Sequence, residues 1–250
     1  MRLLCVSDIH GHAEALGAVL ATAERRGYTH LLAAGDLCFP GPKPLETWHR
    51  LQHARAVCVQ GASDRALASL DLEKVRPRSD HERERLDRVR QVRTELGDLI
   101  LARLARLPPI HRMALPDGRE LIVVHGSPAD PLEPLTHDMT DQELLTLMGD
   151  DPADIVICGG SHVPFDRTVA EVRIINVGSV GEAPTGLSDD PEPAGAPDRA
   201  GSPPSGPRPR HADAAFLELR DGLLTVEQFA VPLGKAGPVT SPAKVIASQD

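Results

Sequence analysis

Three short apolar runs near the N-terminus each stop abruptly at a glycine or a carboxylate, and two helical stretches separate them. Residues 3–7 run into Asp8-Ile9-His10-Gly11, residues 31–34 into Gly35-Asp36, and residues 56–60 into Gly61-Ala62-Ser63-Asp64. Between the first two, Ala13–Arg26 places Leu16, Val19, Leu20 and Ala23 at helical spacing, with Gly27 where a helix stops. Residues 45–53 read as a shorter helix. Apolar runs of this length without alternation fit strands buried on both faces. A β-α-β-α-β series then requires right-handed crossovers and a parallel sheet. The C-terminal ends of such strands share one edge, and that edge is where open α/β sheets bind ligands.

The rest of the chain repeats the theme with a change of rhythm. Residues 81–107 are strongly charged, with an apolar stripe of Leu86, Val89, Leu96, Leu99, Ile100, Leu104 and Leu107, and read as one long amphipathic helix ended by Pro108-Pro109. Residues 110–115 and Glu120–Val124 flank a Pro-Asp-Gly turn and read as strands, the second ending in His125-Gly126. A helix over Asp141–Met148 precedes an apolar strand over Ile155–Cys158, which ends in Gly159-Gly160-Ser161-His162. Strands are expected at 167–172, 174–177, 215–219 and 223–229, the last two joined by the hairpin signal Arg220-Asp221-Gly222. Residues 183–212 are rich in proline and glycine and poor in large apolar side chains, so they read as a disordered insertion. One domain over 1–182 and 213–232 is expected, with a flexible tail over 233–250.

Charge narrows the class of partner. With 27 Lys plus Arg against 36 Asp plus Glu, the net charge is −9, which argues against a broad basic surface for nucleic acid but leaves room for a small phosphate site. No apolar run approaches the ~20 residues that cross a bilayer, and the N-terminal apolar stretch ends in a carboxylate too early for a secretory leader. A cytoplasmic location and no membrane partner are therefore expected. Cys5, Cys38, Cys58 and Cys158 are too dispersed for a C-x-x-C site and read as isolated reduced thiols. No Gly-x-Gly-x-x-Gly turn follows the first strand and no Gly-x-Ser-x-Gly elbow occurs, which argues against dinucleotide binders and serine hydrolases of those types.

The polar strand ends carry the chemistry. Asp8, His10, Asp36, His125 and His162 are each unremarkable alone, but one sheet edge gathers them. Mixed carboxylate and imidazole donors suit a divalent transition ion, with manganese first and iron, zinc, cobalt or nickel as alternatives.

In motif order and spacing, residues 1–182 resemble the calcineurin-like metallophosphoesterases, in their small bacterial branch. Ser7-Asp8-Ile9-His10-Gly11 resembles the first motif, Ala34-Gly35-Asp36-Leu37 the second, and Gly61–Asp64 stands at the third. Val123-Val124-His125-Gly126-Ser127-Pro128 is similar to the fourth, Gly159–His162 stands at the fifth, and Asn176-Val177-Gly178-Ser179-Val180-Gly181 follows. The resemblance implies a four-layer αββα sandwich of two mixed sheets flanked by helices, with a two-metal centre where the sheets meet. It implies a first metal on Asp8, His10, Asp36 and His162, and a second on Asp36 and His125 plus the Asn of the third motif and the first His of the fifth. Here Ala62 replaces that Asn and Gly160 that His, so the second position is depleted.

Two functions follow from this pattern. One is hydrolysis of a small phosphate ester by a metal-activated water, with Asp36 and His125 as catalytic residues. The other is a degenerate member that binds one metal and a phosphorylated ligand in a regulatory or binding role. His12 and Ser63 are candidates for substrate contact. A solvent-facing His12 at the start of the first helix and a structural Ser63 are the competing expectations.

Overall fold

The computed structural model describes residues 1–150, 153–184 and 211–234. In chain order the elements are β1 (Arg2–Val6), α1 (Ala13–Arg26), β2 (His30–Ala33), α2 (Pro44–His53), β3 (Val57–Cys58), α3 (Ala62–Ser69) and α4 (Asp80–Leu104). They continue as β4 (Ile110–Ala114), β5 (Glu120–Val124), α5 (Asp141–Met148), β6 (Ile155–Cys158), β7 (Phe165–Val169), β8 (Val172–Asn176), β9 (His211–Arg220) and β10 (Leu223–Pro232). The strands form two five-stranded mixed sheets, ordered β10-β9-β1-β2-β3 and β4-β5-β6-β8-β7. In the first sheet β1, β2 and β3 run parallel, and in the second β5, β6 and β8 do.

The period-two alternation of side chains explains the layering. Leu4 and Val6 of β1 face outward onto α1, α2 and α4, in a cluster that includes Leu16, Val19, Trp48, Leu51, Val92 and Leu104. Leu3 and Cys5 face the other way and meet Leu121, Val123, Ile155 and Ile157 from the second sheet. Those strands turn Ile122, Val124 and Val156 outward onto Leu144 and Met148 of α5. Three apolar layers thus separate four layers of structure, helix on sheet on sheet on helix. The sandwich expected from the resemblance is the observed fold.

Several local readings are corrected. The expected strand over 56–60 shrinks to two residues, and the chain turns at once into α3. Only Asp64 and Leu67 of α3 are buried, so its sequence carries almost no apolar periodicity to announce it. The long helix breaks at Gly97, whose φ of 72° and ψ of 164° interrupt α4, and it ends at Leu104 rather than 107. Residues 167–172 do not form one strand, because the left-handed pair Ala170-Glu171 turns the chain from β7 into β8. The expected insertion and tail lie outside the described residues except at their ends. There the composition misled, since His211 and Ala212 already pair with Pro232 and Val231 as the start of β9. Among the described residues no helix is long and apolar enough to cross a membrane.

Candidate metal centre

Six parallel strand ends supply the site: β1, β2 and β3 from one sheet, β5, β6 and β8 from the other. Asp8 and His10 lie just beyond β1, Asp36 beyond β2, His125 directly after β5, and His162 four residues past β6. Main-chain bonds lock these loops together. The Asp8 N–H donates to Gly35 O (3.1 Å), the His10 N–H to Asp36 O (2.8 Å), and the Gly159 N–H to His125 O (3.0 Å). The two sheets are tied across the site by the Gly160 N–H, which donates to Asp8 Oδ2 at 2.9 Å.

Asp8, His10, Asp36 and His162 share an unusual backbone. Their φ values are 51°, 50°, 52° and 62°, the left-handed region that L side chains rarely occupy. Such strain persists only where the surroundings enforce it, and it concentrates at functional sites. Here it coincides with four side chains whose donor atoms converge.

Two groups of donor atoms converge. Asp8, His10 and His162 form one, and Asp8, Asp36 and His125 the other, with the atoms of each group within 4.8 Å of one another. His162 Nε2 lies 3.2 Å from Asp8 Oδ1 and 3.2 Å from His10 Nε2. Asp36 joins them, with Oδ2 at 3.9 Å from His10 Nε2 and Oδ1 at 3.5 Å from His125 Nε2. The carboxylate of Asp36 therefore faces both groups, as a bridging ligand does. Asp8 also belongs to the second group, so three donors rather than two remain there.

The tautomers follow from the partners. His10 Nδ1 lies 2.6 Å from Phe39 O and His125 Nδ1 lies 2.8 Å from Ala34 O. A carbonyl only accepts, so Nδ1 carries a proton on both rings and Nε2 is the nitrogen turned toward the centre. Asp8 is fully buried, and its Oδ1 has no hydrogen-bond partner. A buried carboxylate oxygen without a hydrogen-bond partner, among converging imidazoles, is costly unless protons or a cation stand between them. The donor set fits a divalent ion. Burial opposes its ionisation, yet His162, His125 and His10 hold the Asp8 carboxyl below the usual carboxylate range. Burial likewise opposes charge on His125 and His162, but the neighbouring carboxylates, led by Asp36 and Asp8 respectively, hold both above the usual histidine range.

The calcineurin-like phosphoesterase superfamily domain matches residues 1–190. The chain belongs to that superfamily. The superfamily is one of metal-dependent phosphoesterases, and the converging donors above are candidate metal ligands in this chain. Comparison with curated protein sequences gives no match. Among solved structures, a hypothetical protein from Pyrococcus horikoshii OT3 is similar over 94% of this chain and 89% of its own, at 20% identity and a TM-score of 0.70. A metallophosphoesterase from Sphaerobacter thermophilus is similar over 92% and 88%, at 22% identity and a TM-score of 0.65. Vps29 from Chaetomium thermophilum covers 95% and 91%, at 14% identity and a TM-score of 0.51. These likenesses are of fold.

Within this superfamily site, the depleted positions have clear surroundings. Ala62 is exposed in the first turn of α3. Gly160 is left-handed (φ 75°), and a Cβ there would lie 3.6 Å from His125 Nε2, so a side chain at this position would face the second group. Gly61 is required by close approach, since a Cβ on it would stand 2.1 Å from Asp36 Oδ1. Ser63 meets Asp36 through its main chain, its N–H donating to Oδ1 at 2.8 Å, while its buried hydroxyl has no hydrogen-bond partner. Asp64 accepts from the N–H groups of Leu37 (3.0 Å) and Gly61 (3.1 Å), and burial together with the Asp36 charge pushes its carboxyl up to about 7. His12 is partly buried at the start of α1, and burial lowers its pKa against the pull of Glu182.

Glu182 was absent from the sequence reading. It reaches the centre through the loop after β8, with Oε2 at 3.8 Å from His10 Nε2 and 3.9 Å from His162 Nδ1. Nothing in its neighbourhood of the sequence marks it, because its approach depends on contacts made by that loop.

Proposed function

We propose that this chain hydrolyses a small phosphate ester, diester or monoester, at a metal centre held by Asp8, His10, Asp36 and His162, with His125 completing the adjoining group. The observation that carries this reading is the orphaned Asp8 Oδ1 facing the paired Nε2 atoms of His10 and His162. Bound divalent ions, manganese first among the candidates, supply a Lewis acid for the phosphoryl oxygen and a water of lowered pKa for in-line attack. The chain's own part is placement. Asp36 lies between the two donor groups and is held there by the N–H of Ser63. His125 keeps its Nε2 toward Asp36 because Ala34 O fixes the other nitrogen, so it is positioned to hold a proton or to touch a phosphate oxygen. His12 and the first turn of α3 with Ser63 are the proposed substrate contacts. The partner is a small phosphorylated molecule met in the cytoplasm.

A second reading has its own support. Ala62 and Gly160 offer no donor, which leaves the second group poorer than the first and favours a protein that binds one metal and a phosphorylated ligand without turnover. One experiment separates them. Protein loaded with manganese is assayed for metal stoichiometry and for hydrolysis of bis-p-nitrophenyl phosphate and p-nitrophenyl phosphate. Turnover that manganese stimulates and Asp36→Ala lowers at least a hundredfold establishes the hydrolase. One tightly bound metal with no turnover on either compound establishes the binding protein.

A further inference from the structure

Resting on the metal centre proposed above, we infer that Glu182 is a positioning residue, the carboxylate that takes the Nδ1 proton of His162 and fixes that imidazole with Nε2 toward the metal. Imidazole ligands are oriented by whatever accepts the proton of their second nitrogen, and removing that acceptor typically weakens metal binding about 10- to 100-fold. Two of the three imidazoles here have a main-chain acceptor, Phe39 O for His10 and Ala34 O for His125. Among the described residues His162 Nδ1 has no such main-chain acceptor, and Glu182 Oε2 stands 3.9 Å from it.

The geometry separates this role from direct ligation. Asp8, His10 and His162 converge as one donor group, and Glu182 is not among the converging atoms. Its Oε2 stands beside the group, 3.9 Å from His162 Nδ1 and 3.8 Å from His10 Nε2. The gap to Nδ1 exceeds a hydrogen bond by about 1 Å, and the proposed contact requires the half-exposed Glu182 side chain to rotate toward it. The main chain beneath is fixed. The Glu182 N–H donates to Ser179 Oγ (2.8 Å), and that hydroxyl donates to Asp8 O (2.9 Å). The Gly181 N–H donates to the same Asp8 oxygen at 2.9 Å. Glu182 is thus moored to the backbone of the residue whose side chain His162 faces.

Manganese and zinc affinity of the full chain, measured by competition with a chromogenic chelator, tests this for Glu182→Ala and Glu182→Gln. The alanine variant is expected to bind either metal 10- to 100-fold more weakly with an unchanged apo melting temperature. The glutamine variant, which keeps an acceptor oxygen, recovers most of that loss. In zinc-loaded wild type, long-range proton–nitrogen spectra should show His162 protonated at Nδ1 with slow solvent exchange, and fast exchange in the alanine variant. Wild-type affinity in Glu182→Ala, or an equal loss in both variants, overturns the role while leaving the metal centre intact. Wild-type protein that takes up neither metal overturns the centre and this role with it.

Discussion

Proton competition governs the centre at the scale of single residues. His125 and His162 are both held above the ordinary histidine range by carboxylates while no ion is bound, although burial opposes their charge. A metal must displace those protons, so its apparent affinity falls as pH drops through and below that range. Affinity is expected to rise between pH 6 and pH 8 by about tenfold per pH unit for each proton displaced, as chelator competition at several pH values checks. The candidate ligands were legible because each one lies just beyond an apolar run, a local pattern that needs no tertiary information. Glu182 was not, because Ser179 and Asp8 bring it in from a segment 174 positions downstream of Asp8. The share of Asp8 in both donor groups was hidden for the same reason, since it depends on where β5 places His125.

At the level of elements, backbone conformation and burial make their own demands. Gly97 breaks α4 at φ 72° and ψ 164°, a conformation close to glycine-only, and a Cβ there would meet nothing within 4 Å. Gly97→Ala is therefore expected to cost about 1–3 kcal/mol through the backbone alone, read as a lower urea midpoint with unchanged metal affinity. The break escaped the sequence reading because an apolar stripe on either side of a glycine looks continuous. In β9, burial, offset in part by His211, pushes the Asp213 carboxyl up to about 6. The unfolded chain releases that proton near pH ~4, so the folded state holds more protons between these values. This contribution is complete below about pH 4 and is lost as pH rises through the folded value. Asp213→Asn should thus gain on the wild type between pH 4 and pH 8 by up to about 3 kcal/mol, checked by urea unfolding with chelator present.

Across the whole molecule, the two sheets meet on an apolar layer and are joined at one edge by the candidate ligands. Asp8, His10 and Asp36 hang from one sheet, and His125 and His162 from the other. An ion held among them stabilises the fold by about 2.7 kcal/mol at a hundred times its dissociation constant. Manganese is expected to raise the melting temperature by about 5–10 °C in a scanning experiment, and a chelator to reverse it. The parallel strands and the ligand edge could be read from local pattern, but the pairing of two sheets could not. It rests on contacts such as Leu3 and Cys5 against Val123 and Ile157, which are far apart in the chain, and only the family resemblance anticipated it. The four left-handed candidate ligands carry a last consequence, for anyone who would move this centre elsewhere. Copying the side chains onto a host with ordinary loops would splay them outward, so a transplant must import the loop conformations first and the chemistry second.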